Sequence, residues 1–164
     1  MSTQALDPVP VPRLEEIKGT FCMLLAKDVR VEQCKSYEKH SDDGVISIVR
    51  DDEGNALAAV QVDAKIAAGA GAALTLMPAG PVKEVKTSAD VFPTHLENFR
   101  EIANVLAGLM NSQSSPHVTL GEVIRIADGL ADDVRELRAN PTRRDVFDID
   151  IPGYSAGRLY VFVR

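Results

Sequence analysis

Two groups of three strand-like segments constrain the fold of this chain more than any other feature of its sequence. The first group, rich in β-branched residues, reads VRVEQC, GVISIVRDD and ALAAVQVD, and the second reads HVTLGEVIRI, DVFDIDI and GRLYVFV. Helical segments precede the first group and separate the two groups, and a short amphipathic segment, ADDVRELRA, lies within the second. The strands therefore do not alternate one by one with helices, as they would in a wound parallel sheet. This order predicts a two-layer α+β domain, with antiparallel strand sets of about six strands packed against two long helices.

Each of the longer helical segments has apolar residues at three- and four-residue steps. The first runs from Arg13 to about Lys27, the second covers AKIAAGAGAALTLM, and the third begins near Thr94 and ends at about Asn111. The third opens with THLE, which matches the S/T-x-x-E capping box, where both side chains accept hydrogen bonds from free amides of the first turn. We therefore expect Thr94 to cap the third helix.

The second helical segment contains two glycines, Gly69 and Gly71. Each costs about 1 kcal/mol relative to alanine in a helix interior, so their presence predicts that another part of the backbone comes close to this helix. A phosphate-binding loop is the functional alternative. The segment lacks the GxGxxG and GxxxxGK(S/T) patterns and the strand-loop-helix order that such a loop requires, so we expect close packing instead.

The chain has 164 residues, of which 45% are hydrophobic and 26% are charged, a composition typical of a globular protein. Folding at this length can remove roughly 70% of the unfolded chain's surface from water, so a substantial core can form. The first twelve residues contain Pro8, Pro10 and Pro12, and proline cannot maintain a helical hydrogen-bond ladder. We predict a flexible, proline-rich arm at residues 1–12 and a single α+β domain at residues 13–164.

Charge and hydrophobicity exclude two classes of partner. Acidic residues outnumber basic ones by 24 to 18, and no stretch gathers Lys and Arg with aromatic residues into a surface for nucleic acid. No apolar run approaches the ~20 residues that span a bilayer, and the first residues lack the features of a secretory signal. Cys22 and Cys34 stand twelve positions apart without CxxC spacing, which suits a reducing compartment. We expect a soluble, cytoplasmic protein that binds neither nucleic acid nor membrane.

Common catalytic and metal-binding patterns are missing from the sequence. His40, His95 and His117 are isolated from one another and from the cysteines, and there is no HExxH motif. We therefore expect surface or hydrogen-bonded histidines and propose no metal site. There is no GxSxG motif either, so a nucleophilic serine has no candidate.

Polar residues of the third helical segment, ENFREIANVLAGLMN (97–111), fall on one side of the helix. At ~100° per residue they lie within a sector of about 80°, and we call them the polar stripe: Glu97, Glu101, Asn104, Gly108 and Asn111. Every surface helix needs a polar face, so a solvated surface is the simplest interpretation. Asn104 and Gly108, however, stabilise a helix less than Ala, Lys or Gln would, by a summed amount on the order of 1–1.5 kcal/mol. Gly108 also leaves room beside Asn104 for a docking partner.

The segment REIANVLAGLMN resembles the signature helix of the CheC/CheX-type chemotaxis phosphatases. In that family a Glu and an Asn three residues apart, matched here by Glu101 and Asn104, are followed by a small Ala-Gly step. The neighbouring segments are also similar in order: the strand ALAAVQVD, the helix AAGAGAALTLM, the signature helix and the strand HVTLGEVI. The resemblance covers residues 56–163 and implies a CheX-like domain with a single signature helix.

What the resemblance implies is hydrolysis of phospho-aspartate on a response regulator. Asn104 would position the attacking water, since an amide offers a donor and an acceptor to one water, and Glu101 would pair with a lysine of the regulator. A divalent metal ion such as Mg²⁺ would be carried by the regulator, so the chain itself would need no cofactor. Glu97, Gly108 and Asn111 would contribute to binding on the same surface.

Two alternatives stay open on the sequence. The family usually has Asp or Ser at the position of Glu97 and often Gly at the position of Ala103, and both differences favour a non-catalytic protein-binding module of the same fold. The likeness can also be architectural only, with the polar stripe as solvated surface. A single signature helix, where some relatives carry two, suggests a homodimer joined at sheet edges.

Overall fold

The computed structural model describes residues 6–35 and 41–164, and within them it forms an α+β structure of six strands and five helices. The helices are α1 (Leu14–Leu25), α2 (Ala64–Leu74), α3 (Gly80–Lys83), α4 (Pro93–Gly108) and α5 (Asp132–Ala139). The strands are β1 (Arg30–Gln33), β2 (Val45–Asp51), β3 (Ala56–Val62), β4 (Val118–Arg125), β5 (Arg143–Ile151) and β6 (Ser155–Val163). Two short 3-10 turns lie at Ser88–Asp90 and Ile126–Asp128.

The strands form one antiparallel sheet in the order β1-β5-β6-β3-β2-β4. The predicted fold class, α+β with about six antiparallel strands, is confirmed. The two strand groups of the sequence interleave in this sheet, because β4 pairs with β2 at one edge while β1 pairs with β5 at the other.

The main core lies between one face of the sheet and the three helices α1, α2 and α4. Phe21 of α1, Ile66 of α2 and Phe99 of α4 are all fully buried there. On the opposite face, the short helix α5 buries Val134 and Leu137 in a second, smaller cluster against the sheet. The long helix α4 is thus held on the sheet by its apolar side, which leaves its other side facing outward.

Helices α2 and α4 come close together at the glycines of α2. A Cβ atom placed on Gly71 would lie 2.8 Å from the Cα and carbonyl carbon of His95 at the start of α4, too close for an ordinary contact. A Cβ atom on Gly69 would overlap Ser155, lying 3.1 Å from its Cβ. The predicted close approach of backbone to this helix is confirmed, and its neighbours are α4 and the start of β6.

The ends of α4 differ from the sequence-based prediction. The cap position is Phe92 and the first helical residue is Pro93, and no side chain caps the first turn. The predicted Thr94 cap is therefore wrong. Proline lacks an N–H and has the φ angle of a first helical residue, so the helix starts at Pro93, two residues earlier than a Thr94 cap would place it. The helix also ends at Gly108, three residues before Asn111.

Residues 6–12 form neither helix nor strand, and they pack on the domain. The N–H of Asp7 donates to the carbonyl of Ser114 at 2.9 Å, and Val9, only 5% exposed, belongs to the main core. The prediction of a flexible arm did not anticipate this packing. Residues 1–5 lie outside the described residues.

Candidate functional site

Helix α4 is hydrogen-bonded to a neighbouring element on each flank, in addition to packing its apolar side on the sheet. On one side the Asn98 amide donates to the carbonyl of Gly71 at 2.9 Å and to the Thr75 hydroxyl at 3.1 Å, which ties α4 to α2. On the other side the Arg100 guanidinium donates to the carbonyl of Gly121 in β4 at 3.1 Å. With its apolar side in the core, α4 presents its outer side as a fixed surface.

All five residues of the polar stripe are exposed on that outer side of α4 and the turn after it. Glu101 and Asn104 stand three residues apart, which in a helix brings their Cβ atoms to about 5–6 Å. Among the described residues, neither side chain makes a hydrogen bond or an ion pair, so both are available to a partner. The structure therefore brings together the two residues to which the sequence analysis assigned a chemical role.

Glu97 and Glu101 are both exposed carboxylates, separated by four residues on the same helix face. Like charges at this spacing destabilise a helix by about 0.2–0.5 kcal/mol. Neither carboxylate has a basic partner among the described residues. A cationic group from another molecule would remove this repulsion, so this part of the stripe is suited to a basic surface.

Gly108 lies on the same outer face, one turn after Asn104. A Cβ atom placed there would meet no atom within 4 Å apart from the helix's own backbone, so no packing contact requires glycine. Its φ angle is also that of an ordinary residue. The open space beside Asn104 that the sequence predicted is present.

Asn111 differs from Asn104 in its contacts. Its amide nitrogen donates to the carbonyl of Val118 at 2.9 Å, and its amide oxygen accepts from the N–H of Val118 at the same distance. This pair of hydrogen bonds closes the connection between α4 and β4. The Asn111 amide is thus used within the chain, and its role in binding stays a prediction.

Sequence reasoning missed Leu76, which follows α2 and is 81% exposed. Its neighbour Thr75 accepts the hydrogen bond from Asn98, so the turn that carries Leu76 adjoins α4 at Asn98. In the sequence it sits in the apolar run ALTLM and has the pattern of a core residue. No local signal could have identified it, because its exposure depends on where α2 ends.

The histidines divide into two kinds. His117 is exposed, and its Nδ1 lies 3.1 Å from a carboxylate oxygen of Asp52. His95 is 1% exposed and neither ring nitrogen has a partner among the described residues, so the expectation of a surface or hydrogen-bonded histidine is wrong there. Burial lowers the pKa of His95, and its ring packs against Phe92 with centroids 5.3 Å apart. His40 lies outside the described residues.

Within residues 6–35 and 41–164, no three His, Cys, Asp or Glu side chains come together in an arrangement that would hold a metal ion. Cys22 and Cys34 are both partly exposed, and no disulfide joins them. In the same described ranges no helix combines the length and the apolar character needed to cross a bilayer.

Comparison with known proteins shows likeness in structure but not in sequence. No protein-family model matches the chain, and no curated protein sequence matches it. FliY of Thermotoga maritima is similar in structure with a TM-score of 0.60 and 17% identity, and the match covers 92% of this chain and 83% of the matched FliY chain. A CheX–CheY–BeF3–Mg²⁺ complex from Borrelia burgdorferi gives a TM-score of 0.61 at 13% identity, covering 93% of this chain and 96% of the matched chain.

FliM is a third similar structure. A FliG–FliM complex from H. pylori matches with a TM-score of 0.61 and 10% identity, covering 93% of this chain and 87% of the matched chain. At such identities a structural likeness establishes the fold and leaves the activity to the site. The chain has the CheC/CheX-like fold that the signature helix implied.

Proposed function

We propose that this domain hydrolyses phospho-aspartate on a response regulator, with Asn104 positioning the water and Glu101 serving as the docking contact. The observation that carries the proposal is the arrangement of these two side chains. They are exposed one helical turn apart on a fixed helix, and within the described residues neither is used by the chain itself. A helix that served only stability would place Ala, Lys or Gln at the position of Asn104.

For this reaction the domain needs to supply mainly the correct placement of the attacking water. The oxygen of a water forms a bond to phosphorus while the bond from phosphorus to the aspartate oxygen breaks. Aspartate leaves as a carboxylate, and both protons of the water go to the inorganic phosphate, which can release one of them to solvent. The transition state is loose, and charge on the phosphoryl oxygens is stabilised mainly by the metal ion and groups of the regulator. The Asn104 amide would hold the water in line, and holding two reactants in the right geometry can by itself account for most of a rate enhancement.

Two further features support a protein partner at this surface. The carboxylates of Glu97 and Glu101 repel each other, and neither forms an ion pair within the described residues, since the nearby Arg100 donates to the carbonyl of Gly121. This arrangement favours a partner that presents a lysine. A structurally similar protein, CheX of Borrelia burgdorferi, forms a complex with CheY, BeF3 and Mg²⁺. A regulator as substrate would place this domain in the cytoplasm and would supply the metal ion.

The proposal is tested by the rate at which phosphorylated response regulators of the same organism lose phosphate. Regulators are phosphorylated with acetyl phosphate in the presence of Mg²⁺, and phosphate release is followed with and without the domain. We expect wild type to accelerate phosphate release from one regulator. The acceleration by Asn104→Ala should be smaller than that by wild type, by about tenfold or more. Asn98→Ser is a matched control. It changes another asparagine of the same helix, whose side chain contacts α2 and lies outside the polar stripe, so the rate of phosphate release should stay that of wild type.

Two results would remove the catalytic proposal: no acceleration by wild type with any regulator, or equal rates for wild type and Asn104→Ala. Unfolding measurements accompany the assay, because alanine is the better helix former and Asn104→Ala should be at least as stable as wild type. A lower rate in a more stable variant cannot be explained by misfolding.

A non-catalytic binding module is the second candidate. FliM, which has the same fold, forms complexes with FliG and with SpeE in H. pylori, so proteins of this fold associate with different partners. In that case the polar stripe would dock a partner without chemistry. Binding that survives Asn104→Ala but is lost in Glu101→Arg, together with no phosphate release, would favour this candidate over the first.

A further inference from the structure

Leu76 combines two features that a folded protein usually avoids. It is 81% exposed, and its φ angle is +56°, in the left-handed region that favours glycine or asparagine. Glycine at this position would relieve the backbone and remove an apolar side chain from water. Leucine is thus expected to make the folded protein less stable than glycine would. This cost would be offset if the exposed side chain contacts a partner.

The backbone at Leu76 is fixed rather than loose. The N–H of Leu76 donates to the carbonyl of Ala73 at 3.2 Å, and the N–H of Met77 donates to the carbonyl of Ala72 at 2.8 Å. This pair of hydrogen bonds is the one that ends helices through a left-handed residue. The hydroxyl of Tyr154 donates to the carbonyl of Met77 at 2.8 Å and holds the next residue in place. The Leu76 side chain is therefore an apolar group presented to solvent from a rigid turn.

The turn lies beside the acidic half of the polar stripe. Thr75, which precedes Leu76, accepts a hydrogen bond from Asn98 of α4 at 3.1 Å. Asn98 is adjacent to Glu97 in the chain and three residues before Glu101, so all three lie on neighbouring parts of the helix surface. The turn that exposes Leu76 is thus attached to α4 at Asn98, a residue between the exposed carboxylates of Glu97 and Glu101 in the chain.

We infer that Leu76 is a second docking contact for the response regulator, inserting into an apolar patch while Glu97 and Glu101 pair with basic side chains beside that patch. The inference rests on the proposed function, because it assigns Leu76 to the same partner. Charge complementarity selects the partner surface, since the charged residues of the stripe are both acidic. A rigid contact residue loses little freedom on binding, so its burial contributes efficiently to affinity.

The test is Leu76→Asn, because asparagine accepts the left-handed conformation while removing the apolar side chain. We expect an unchanged or higher melting temperature, together with a Kd for the regulator, phosphorylated with acetyl phosphate, that is at least about tenfold weaker. The rate of phosphate release at saturating regulator should stay that of wild type. Leu76→Met should bind nearly as well as leucine, and Met23→Gln, at an exposed residue of α1, should leave the Kd unchanged.

The outcomes separate this inference from the proposed function. Equal Kd values for wild type and Leu76→Asn, with binding weakened by Glu101→Arg, would overturn the role of Leu76 and leave the proposed function standing. An equal loss in Met23→Gln would also overturn it, because any exposed apolar residue would then have the same effect. If wild type binds no phosphorylated regulator at all, both conclusions are overturned together.

Discussion

At the scale of single residues, two glycines in the helical layer have opposite surroundings. A Cβ atom on Gly71 would lie 2.8 Å from two backbone atoms of His95, which cannot move aside as a flexible side chain could, whereas a Cβ atom on Gly108 would meet nothing within 4 Å. The first glycine is required by packing, and the second is not. The contrast can be measured with the same substitution at both positions.

We predict that Gly71→Ala destabilises the domain by about 1–3 kcal/mol, because the added methyl group must push α4 away from α2. Gly108→Ala should instead stabilise it by up to about 1 kcal/mol, because alanine is the better residue in a helix interior. Urea unfolding followed by circular dichroism measures both. A stable Gly71→Ala variant would contradict the close approach of the two helices.

The two asparagines of the polar stripe, Asn104 and Asn111, also differ in what they contact. Asn111→Ala removes both hydrogen bonds to Val118 and should lower the free energy of unfolding by about 1–2 kcal/mol. Asn104→Ala removes no hydrogen bond within the described residues and should leave stability unchanged or raise it by a few tenths of a kcal/mol. Thermal unfolding of the two variants is the comparison. Equal destabilisation would mean that Asn104 has a structural role.

At the scale of elements, a cluster around Arg50 connects β2, β4 and α5. The Arg50 guanidinium donates to both carboxylate oxygens of Glu122, to a carboxylate oxygen of Asp133 at 3.0 Å, and to the carbonyl of Gly54 at 2.9 Å. These hydrogen bonds lower the pKa of Glu122 below its ordinary value of 4.5 and that of Asp133 below 3.8. Alongside the burial of Val134 and Leu137, the ion pair of Arg50 with Asp133 holds α5 against the sheet, and that of Arg50 with Glu122 links β2 to β4. Each ion pair contributes only while its carboxyl group is ionised.

We predict that this attachment weakens in acid. Because folding lowers both pKa values, its contribution is present above the ordinary values of 4.5 and 3.8 and is lost as the pH falls through the lower folded values. The difference in unfolding free energy between wild type and Arg50→Met should therefore shrink as the pH is lowered from about 6 to about 3. Urea unfolding across this range, at low salt, provides the values.

Solvent limits the size of that effect. The side chains of Glu122 and Asp133 are 50% and 42% exposed, so water and salt screen their attraction to Arg50. The same series at high salt is the control, and the difference between the two proteins should be smaller there. Parallel pH curves for wild type and Arg50→Met at low salt would contradict the prediction.

At the scale of the whole molecule, the N-terminal segment takes part in the main core. Val9 is 5% exposed, whereas Leu6, three residues earlier, is 65% exposed. We predict that Val9→Ser lowers the free energy of unfolding by about 1–3 kcal/mol and that Leu6→Ser leaves it nearly unchanged. Chemical unfolding of both variants tests whether the segment belongs to the same cooperative unit. Equal effects would mean that Val9 is not buried in solution.

The number of chains in the functional protein stays a prediction. The sheet has two edges, β1 and β4, and each pairs on one side only within the described residues. A homodimer joined at sheet edges would extend the sheet through one of them. Light scattering should then give twice the mass of one chain, and a monomer at micromolar concentration would contradict this prediction.

Local patterns in the sequence determined the types of the elements and the faces of α4. Helical spacing alone located the polar stripe, and Glu101 and Asn104 are exposed while Phe99 and Leu106 on the other side of the same helix are buried. A helix fixes the direction of each side chain within a few residues. The two glycines of α2, Gly69 and Gly71, destabilise a helix interior and so predicted a close backbone neighbour, which is His95 at Gly71. These conclusions depend only on residues near one another in the chain.

Only the tertiary structure decided which distant residues meet. Local patterns did not predict the strand order or the exposure of Leu76. They also did not predict the hydrogen bonds that occupy Asn111, or the pairing of Arg50 with Glu122 and Asp133, which lie 72 and 83 positions away in the chain. The physical reason is that hydrogen bonding, burial and charge pairing depend on spatial neighbours, which sequence spacing does not specify. The sequence alone placed Glu101 and Asn104 on one helix face, and the packing of α4 against the sheet, α2 and β4 left that face open to a partner.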